Sequence, residues 1–233
     1  MRIKGSFILI AFICQHSFVF GQKDEKNTLE FLPVFGNSIL HLGDSFYKLT
    51  NGDSIQFETL KFYISGIELV KDDKLVWKEG NSFHLIDASV IQSLSILLNI
   101  KQTIFFNKIK FNIGIDSITN VSGALSGDLD PTRGMYWTWQ SGYINFKLEG
   151  SSNQCKTRNS EFQFHLGGYL QPFSTLQNVI LPVRKQKMQV VVMDIEKFIS
   201  AIDLITENHI MSPGKEAAML SEKLPGIFSF HDQ

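Results

Sequence analysis

Hydrophobic and polar residues alternate in short runs along most of the chain, and turn-forming residues separate these runs. The alternation is clearest over 29–35, 54–70 and 103–115, and it is typical of half-buried antiparallel strands. Shorter runs of the same kind cover 75–77, 82–86, 94–99, 143–148, 162–166, 179–183 and 188–193. Closely spaced short strands predict an all-β fold, specifically an antiparallel β-sandwich.

Helical periodicity occurs only near the C-terminus. Apolar residues in 196–205 recur at a spacing near 3.6, and 213–224 shows a weaker form of the pattern. We therefore expect one or two short C-terminal helices beside the strands. No internal repeat or low-complexity linker divides 22–233, which predicts one domain. The 20 phenylalanines strengthen the expectation of a β-rich core, because aromatic residues are enriched in strands.

The first 21 residues have the organisation of a cleaved secretory signal peptide. Arg2 and Lys4 precede an apolar run over 7–14, and the small residues Val19 and Gly21 predict cleavage after Gly21. The apolar run is shorter than the roughly 20 residues that cross a bilayer. We expect a periplasmic, secreted or cell-surface protein whose mature chain has no transmembrane segment.

Cleavage would change the inventory of reactive residues. It removes Cys14, so Cys155 stands alone without an internal disulfide partner, and its polar neighbours predict an exposed thiol. Loss of Arg2 and Lys4 lowers the net charge from −1 to −3, and no basic stripe indicates a nucleic-acid partner. Nucleophile-elbow, phosphate-loop and zinc-protease motifs do not occur in the sequence, so we expect a protein that is not an enzyme.

Two of the five remaining histidines lie on predicted strands. His84 and His165 each stand between a phenylalanine and a leucine, whereas His41, His209 and His231 lie in polar turns or near element ends, where we expect exposed surface residues. A strand holds a side chain rigidly, and neutral imidazole binds copper and zinc well. By pattern alone, a structural histidine is the simpler interpretation of each.

Two further features are candidates for binding. Trp137 and Trp139 lie two residues apart, so an extended chain would present both on one side as an aromatic platform. A non-enzymatic module that binds a glycan or peptide there is the alternative function. Asp128 and Asp130, in the loop over 120–133, could bind Ca²⁺, but a pair of Asx-turns is favoured.

Seven segments, taken in order, make this chain similar to the MbnP-like family of periplasmic copper-binding proteins. That family is related to the copper-repressible surface proteins of methane-oxidising bacteria. The segments are FYISGIEL (62–69), FHLID (83–87), FNIGIDS (111–117), GDLDP (127–131), GMYWTWQSGY (134–143), KLEG (147–150) and FHLGG (164–168).

The resemblance implies a β-sandwich that binds one copper ion through two histidines, matched here by His84 and His165. In some members a kynurenine, an oxidised tryptophan made by a di-haem cytochrome c peroxidase-like partner, adds a third ligand. Ser82 occupies the position two before the first histidine, where those members have tryptophan. Under this resemblance, Trp137 or Trp139 is the alternative candidate for oxidation. The implied role is copper sequestration or delivery without turnover.

Overall fold

The computed structural model describes residues 28–101, 103–140, 142–183 and 190–231. The predicted signal peptide over 1–21 lies outside the described residues. The strands are β1 (Thr28–Phe35), β2 (Ser38–Ile39), β3 (Phe46–Lys48), β4 (Ser54–Lys71), β5 (Lys74–Lys78), β6 (Phe83–Asp87), β7 (Ser95–Leu97), β8 (Lys108–Ile113), β9 (Tyr136–Trp137), β10 (Gly142–Ser152), β11 (Glu161–Gly167), β12 (Gln177–Pro182), β13 (Val191–Asp194), β14 (His209–Ile210) and β15 (Phe228–Phe230). The helices are α1 (Ser117–Val121), α2 (Ile195–Ile199) and α3 (Lys215–Ser221).

These strands form two sheets, one of five strands and one of ten. The smaller sheet has the order β15-β13-β1-β2, with β7 also paired to β1. The larger sheet has the order β12-β8-β4-β10-β11-β14, and β3, β5, β6 and β9 pair along its members. The long strand β4 organises the larger sheet, because β10 and β8 pair with it end to end along one edge while β3, β6 and β5 follow one another along the other.

The main core lies between the two sheets and consists largely of phenylalanine. Phe31 and Phe228 of the smaller sheet make edge-on ring contacts with Phe62 and Phe111 of the larger one, at centroid distances of 5.7–6.1 Å. Such aromatic pairs stabilise a fold beyond the area that they bury. We call the surface of the larger sheet that carries Phe62 its inner face.

The opposite surface, the outer face, carries a second and smaller apolar layer. Tyr63 of β4 and Tyr143 of β10 make an edge-on contact at 5.8 Å, and residues from 115–137 pack with them. The Tyr63 hydroxyl donates to the carbonyl of Asp128 at 3.1 Å, and burial raises the pKa of Tyr63. The loop over 120–133 is therefore folded onto the sheet, and both faces of β4 are covered around Tyr63.

The predicted β-sandwich with short C-terminal helices is confirmed. Its pairing is not wholly antiparallel, because β13 runs parallel to β1 and β14 runs parallel to β11. Parallel neighbours need long crossover connections, and both β13 and β14 reach their partners from distant parts of the chain. None of the helices in the described part of the chain has the length and apolar character needed to span a bilayer.

The expected exposure of Cys155 is wrong. Its side chain is buried in the main core although its sequence neighbours are polar, and burial raises the pKa of the thiol. The turn after β10 directs this one side chain inward while Gln154 and Lys156 remain at or near the surface. The thiol is a packing group in this structure.

Candidate functional site

His165 lies in the middle of β11 on the outer face. Its neighbours Phe164 and Leu166 belong to the main core, and alternation along the strand therefore directs His165 to the opposite side. The residue is only 5% exposed. A buried imidazole needs polar partners, and β10 supplies one on the adjacent strand.

That partner is Glu149. Nε2 of His165 lies 2.7 Å from Oε1 of Glu149, and the ammonium of Lys147 is 3.5 Å from the same oxygen. The hydrogen bond from His165 is the main reason that the pKa of Glu149 falls to about 2, although burial opposes the shift, and a hydrogen bond from Thr59 adds to the lowering. Glu149 is therefore a carboxylate throughout the physiological pH range and fixes the orientation of the imidazole.

A row of polar side chains continues from this pair across the outer face. Register places Asp87, Lys61, Lys147 and His165 directly side by side on the four successive strands β6, β4, β10 and β11. Lys61 forms an ion pair with Asp87 at 2.9 Å and lies 3.5 Å from the carbonyl oxygen of Arg133. The row is thereby tied to the loop that covers the outer face.

The second ring nitrogen of His165 is available for a ligand. Within the described residues Nδ1 has no hydrogen-bond partner. It is also not fully buried, so a ligand can reach it. A carboxylate that holds one imidazole nitrogen while the other faces a metal is a recurrent arrangement at metal centres. The His165–Glu149 pair has the form of half of such a centre.

Trp137 packs on the same face, one pleat further along β11. A Cβ atom at Gly167 would lie 2.6 Å from the Trp137 ring, so the indole rests directly on the glycine backbone. Trp137 is 7% exposed and Trp139 is 63% exposed, and their rings are 5.9 Å apart with a tilt of 50°. The two indoles touch, but they do not form one flat exposed platform.

His84 forms a second imidazole–carboxylate pair elsewhere. Its Nε2 lies 2.8 Å from Oε2 of Glu79, and the Ser82 hydroxyl donates to the same oxygen. Burial tends to raise the pKa of Glu79, but hydrogen bonds from His84 and Ser82 outweigh that effect and lower it. Ser82 also accepts a hydrogen bond from the backbone N–H of Ile67, which joins the pair to β4.

The structure does not bring His84 and His165 together. Asp87 shares a face with His165 through the polar row, and His84 lies three residues before Asp87 on β6, so its side chain leaves the opposite face. Three strand spacings, about 14 Å, also separate β6 from β11. One ion with bonds near 2 Å needs nitrogens within about 4 Å of each other, so this arrangement gives a shared ion no geometric support.

The two loop carboxylates make hydrogen bonds within the fold, and the remaining predicted histidines lie at the surface. The Asx-turn expected for Asp128 is wrong, because its carboxylate accepts a hydrogen bond from the backbone N–H of Leu85 on β6, at 3.1 Å. Asp130 accepts from the N–H of Thr132 at 2.8 Å, which is the favoured Asx-turn. The exposed surface positions predicted for three histidines are confirmed, namely His41, His209 and His231. No group of three or more histidine, cysteine or acidic side chains assembles within the described residues.

Sequence reasoning missed both carboxylates. Glu149 lies 16 residues before His165 and Glu79 lies five before His84, and neither spacing forms a recognisable motif. A usable signal was present for Glu149, since a hairpin of β10 and β11 places Lys147 opposite His165 and Glu149 one pleat away. Finding it would have required the register of that hairpin.

Fold and site together define an all-β protein that holds an imidazole–carboxylate pair beside a tryptophan-bearing loop. The chain belongs to the MbnP family, whose model matches residues 24–213, and the family resemblance is thereby confirmed. MbnP from Methylosinus trichosporium has a similar structure, with a TM-score of 0.58 and 15% sequence identity over 76% of this chain and 78% of that chain. That likeness concerns the fold. No curated protein sequence matches the chain.

Proposed function

We propose that this protein is an exported copper-binding protein that sequesters or delivers copper, with His165 as its principal imidazole ligand. The observation that carries the proposal is the buried His165 itself, whose Nε2 is fixed by Glu149 while Nδ1 lacks a protein partner among the described residues. Membership of the MbnP family supports copper as the metal, through the resemblance described above. Neutral imidazole is a suitable ligand for Cu(I) and Cu(II).

The position of Trp137 favours it over Trp139 as the residue that would be oxidised. Trp137 packs on Gly167, two residues from His165 on the same face, whereas Trp139 is mostly exposed. An external oxidant would be required, and we assign that role to the di-haem peroxidase-like partner implied by the resemblance. Peptide mass mapping of residues 134–143 from protein exported by its native cell tests this, and unmodified Trp137 would contradict it.

Anaerobic copper titration of the mature protein tests the metal site. We expect the wild type to bind one copper per chain, and His165→Ala to weaken binding at least about tenfold, a range typical for lost metal-site groups. His209→Ala is the matched control, because His209 is an exposed histidine on β14, the strand beside β11. Equal copper uptake by the wild type and a His84→Ala/His165→Ala double variant would refute the proposal.

The single variant His84→Ala distinguishes a copper ion that His165 binds without His84 from one that both histidines bind. Since His84 projects from the other face, the geometry predicts that its removal leaves copper affinity unchanged. A loss as large as that of His165→Ala would mean that both histidines ligate one ion after a rearrangement of the sheet edge. X-ray absorption at the copper edge, which counts bound imidazoles, provides an independent measurement.

A further inference from the structure

A cavity of about 330 Å³ opens between the turn after β9 and the loop that follows β11. Its walls include the aromatic rings of Trp137, Tyr169 and Phe173 and the ring of Pro213. Small-molecule sites are commonly concave, largely apolar and at least about 300 Å³ in volume. This cavity therefore has room for one or two small rings.

None of the described residues that line the cavity carries a charge at neutral pH. Its polar side chains are the amides of Gln140 and Gln171 and the hydroxyl of Tyr169, and none of these makes a hydrogen bond to another described residue. A charged ligand would lose hydration here without gaining a counter-charge, which is unfavourable. The lining therefore selects a neutral ligand that offers both an apolar surface and hydrogen-bonding groups.

The walls are held in place by contacts behind them. The Tyr169 ring covers Gly142, at 3.4 Å from the position of a Cβ there. Thr175 donates to the carbonyl of Gly168 from its N–H at 2.9 Å, and the buried Asn145 donates to the Thr175 hydroxyl at 2.8 Å. Because Thr175 and Asn145 are fully buried, these hydrogen bonds anchor the loop that follows β11 to the interior of the protein. A preformed site loses less entropy when its ligand binds.

The geometry points to this cavity as a binding site for a neutral pyranose ring, either a free sugar or the end of a glycan chain. A pyranose has an apolar C–H face, which stacks on an aromatic ring, and a rim of hydroxyl groups, which the two amides and the phenol can bind. The exposed rim residues Leu170 and Phe173, at 66% and 42%, extend the apolar surface outward. Trp137 borders both sites, but Tyr169 and Phe173 take no part in the proposed metal site, so variants at these two positions test sugar binding separately from copper.

Titration calorimetry and ligand-observed NMR with the mature protein test the inference. The probes are methyl β-D-glucopyranoside and N-acetylglucosamine as free sugars, their β-1,4-linked hexamers as glycan chains, and an uncharged proline-rich peptide. We expect saturable sugar binding with a dissociation constant on the order of 1 mM, as suits so small a ligand. Tighter binding of a hexamer than of its monomer identifies a glycan chain as the source, and equal binding identifies a free sugar.

Variants assign the binding to this cavity. Phe173→Ala and Tyr169→Ala should each weaken sugar binding at least about tenfold, and Phe105→Ala, a control with a 63% exposed ring elsewhere, should leave it unchanged. Tyr169→Phe keeps the ring and removes the hydroxyl, and it should fall between the wild type and Tyr169→Ala. Should Tyr169→Ala fail to fold, Phe173→Ala decides. Absence of sugar binding in the wild type, equal binding by Phe173→Ala, or binding of the peptide alone would overturn the inference.

Discussion

The two imidazole–carboxylate pairs are similar in length but differ in their surroundings. His165–Glu149 and His84–Glu79 have nitrogen–oxygen distances of 2.7 and 2.8 Å. The side chain of His165 is 7% exposed and that of His84 is 24% exposed. Glu149 shares its oxygen with a lysine, whereas Glu79 shares its oxygen with a serine. One pair lies in the interior of a sheet and the other near its edge.

This difference shows how the same contact can serve two purposes. Glu149 and His165 lie on the paired strands β10 and β11, and Thr59 of β4 also bonds Glu149, so the imidazole keeps one defined orientation with one nitrogen open. Near the edge, the carboxylate mainly fastens the turn over 79–82 to β4 through Ser82. The interior pair has the rigidity that a ligand site requires, and the edge pair has the features of a structural clamp.

Substitution of Gly167 should cause the largest effect, because it disturbs the packing beside the interior pair. In Gly167→Ala the new Cβ would lie 2.6 Å from both the Trp137 ring and the carbonyl oxygen of Tyr143. We expect a loss of about 1–3 kcal/mol in the free energy of unfolding, as for overpacked cores, measured by urea denaturation. Gly226→Ala is the control, since no atom lies within 4 Å of a Cβ there. A similar loss in both variants would contradict the close packing of Trp137.

Glu149→Ala should destabilise the protein more than Glu79→Ala does. The first variant leaves Nε2 of a buried histidine without its partner, which costs about 1–3 kcal/mol. In the second variant, water can reach the more exposed His84, and we expect a loss below about 1 kcal/mol. Urea denaturation at neutral pH measures both values. Equal losses would mean that the two glutamates contribute equally to the free energy of unfolding.

The two glutamates should contribute differently to the loss of stability at acidic pH. The pKa of Glu149 is lowered from 4.5 to about 2 in the folded state, so its stabilising contribution is complete above pH 4.5 and is lost as the pH falls toward 2. Glu149→Gln should flatten the decline in stability over that interval. Glu79→Gln should flatten it less, and the urea midpoint as a function of pH measures both slopes. An unchanged slope in Glu149→Gln would contradict the depressed pKa.

The smallest effect is expected at the edge pair. Ser82→Ala removes the acceptor for the buried N–H of Ile67, a hydrogen bond of 3.0 Å, and should cost about 1 kcal/mol. His84→Ala should cost less, since its partner Glu79 retains Ser82. Thermal denaturation of the two variants compares them. A larger loss for His84→Ala would show that the imidazole, and not the serine, holds the turn.

Much of the fold could be predicted from alternation, because β1 and β4 follow their apolar patterns closely. The predicted helices over 196–205 and 213–224 correspond to the shorter α2 and α3. Cys155 was misplaced because one inward side chain in a polar turn leaves no periodic signal. The faces of His84 and His165 depend on strand pairing between residues far apart in sequence. Both faces of β4 carry apolar layers, so hydrophobicity alone does not distinguish inside from outside.

The smaller sheet joins strands that lie far apart in the sequence. Its first strand, β1, pairs with β2 and β7, but its parallel partner β13 lies at 191–194, and β13 pairs in turn with β15 at 228–230. Contacts of such long sequence separation slow folding. While the chain is being synthesised, the edge of β1 that β13 joins has no strand partner until residues 191–194 have emerged. The smaller sheet therefore forms late, and a chain truncated before residue 191 would leave the Phe31 side of the core without β13 and β15.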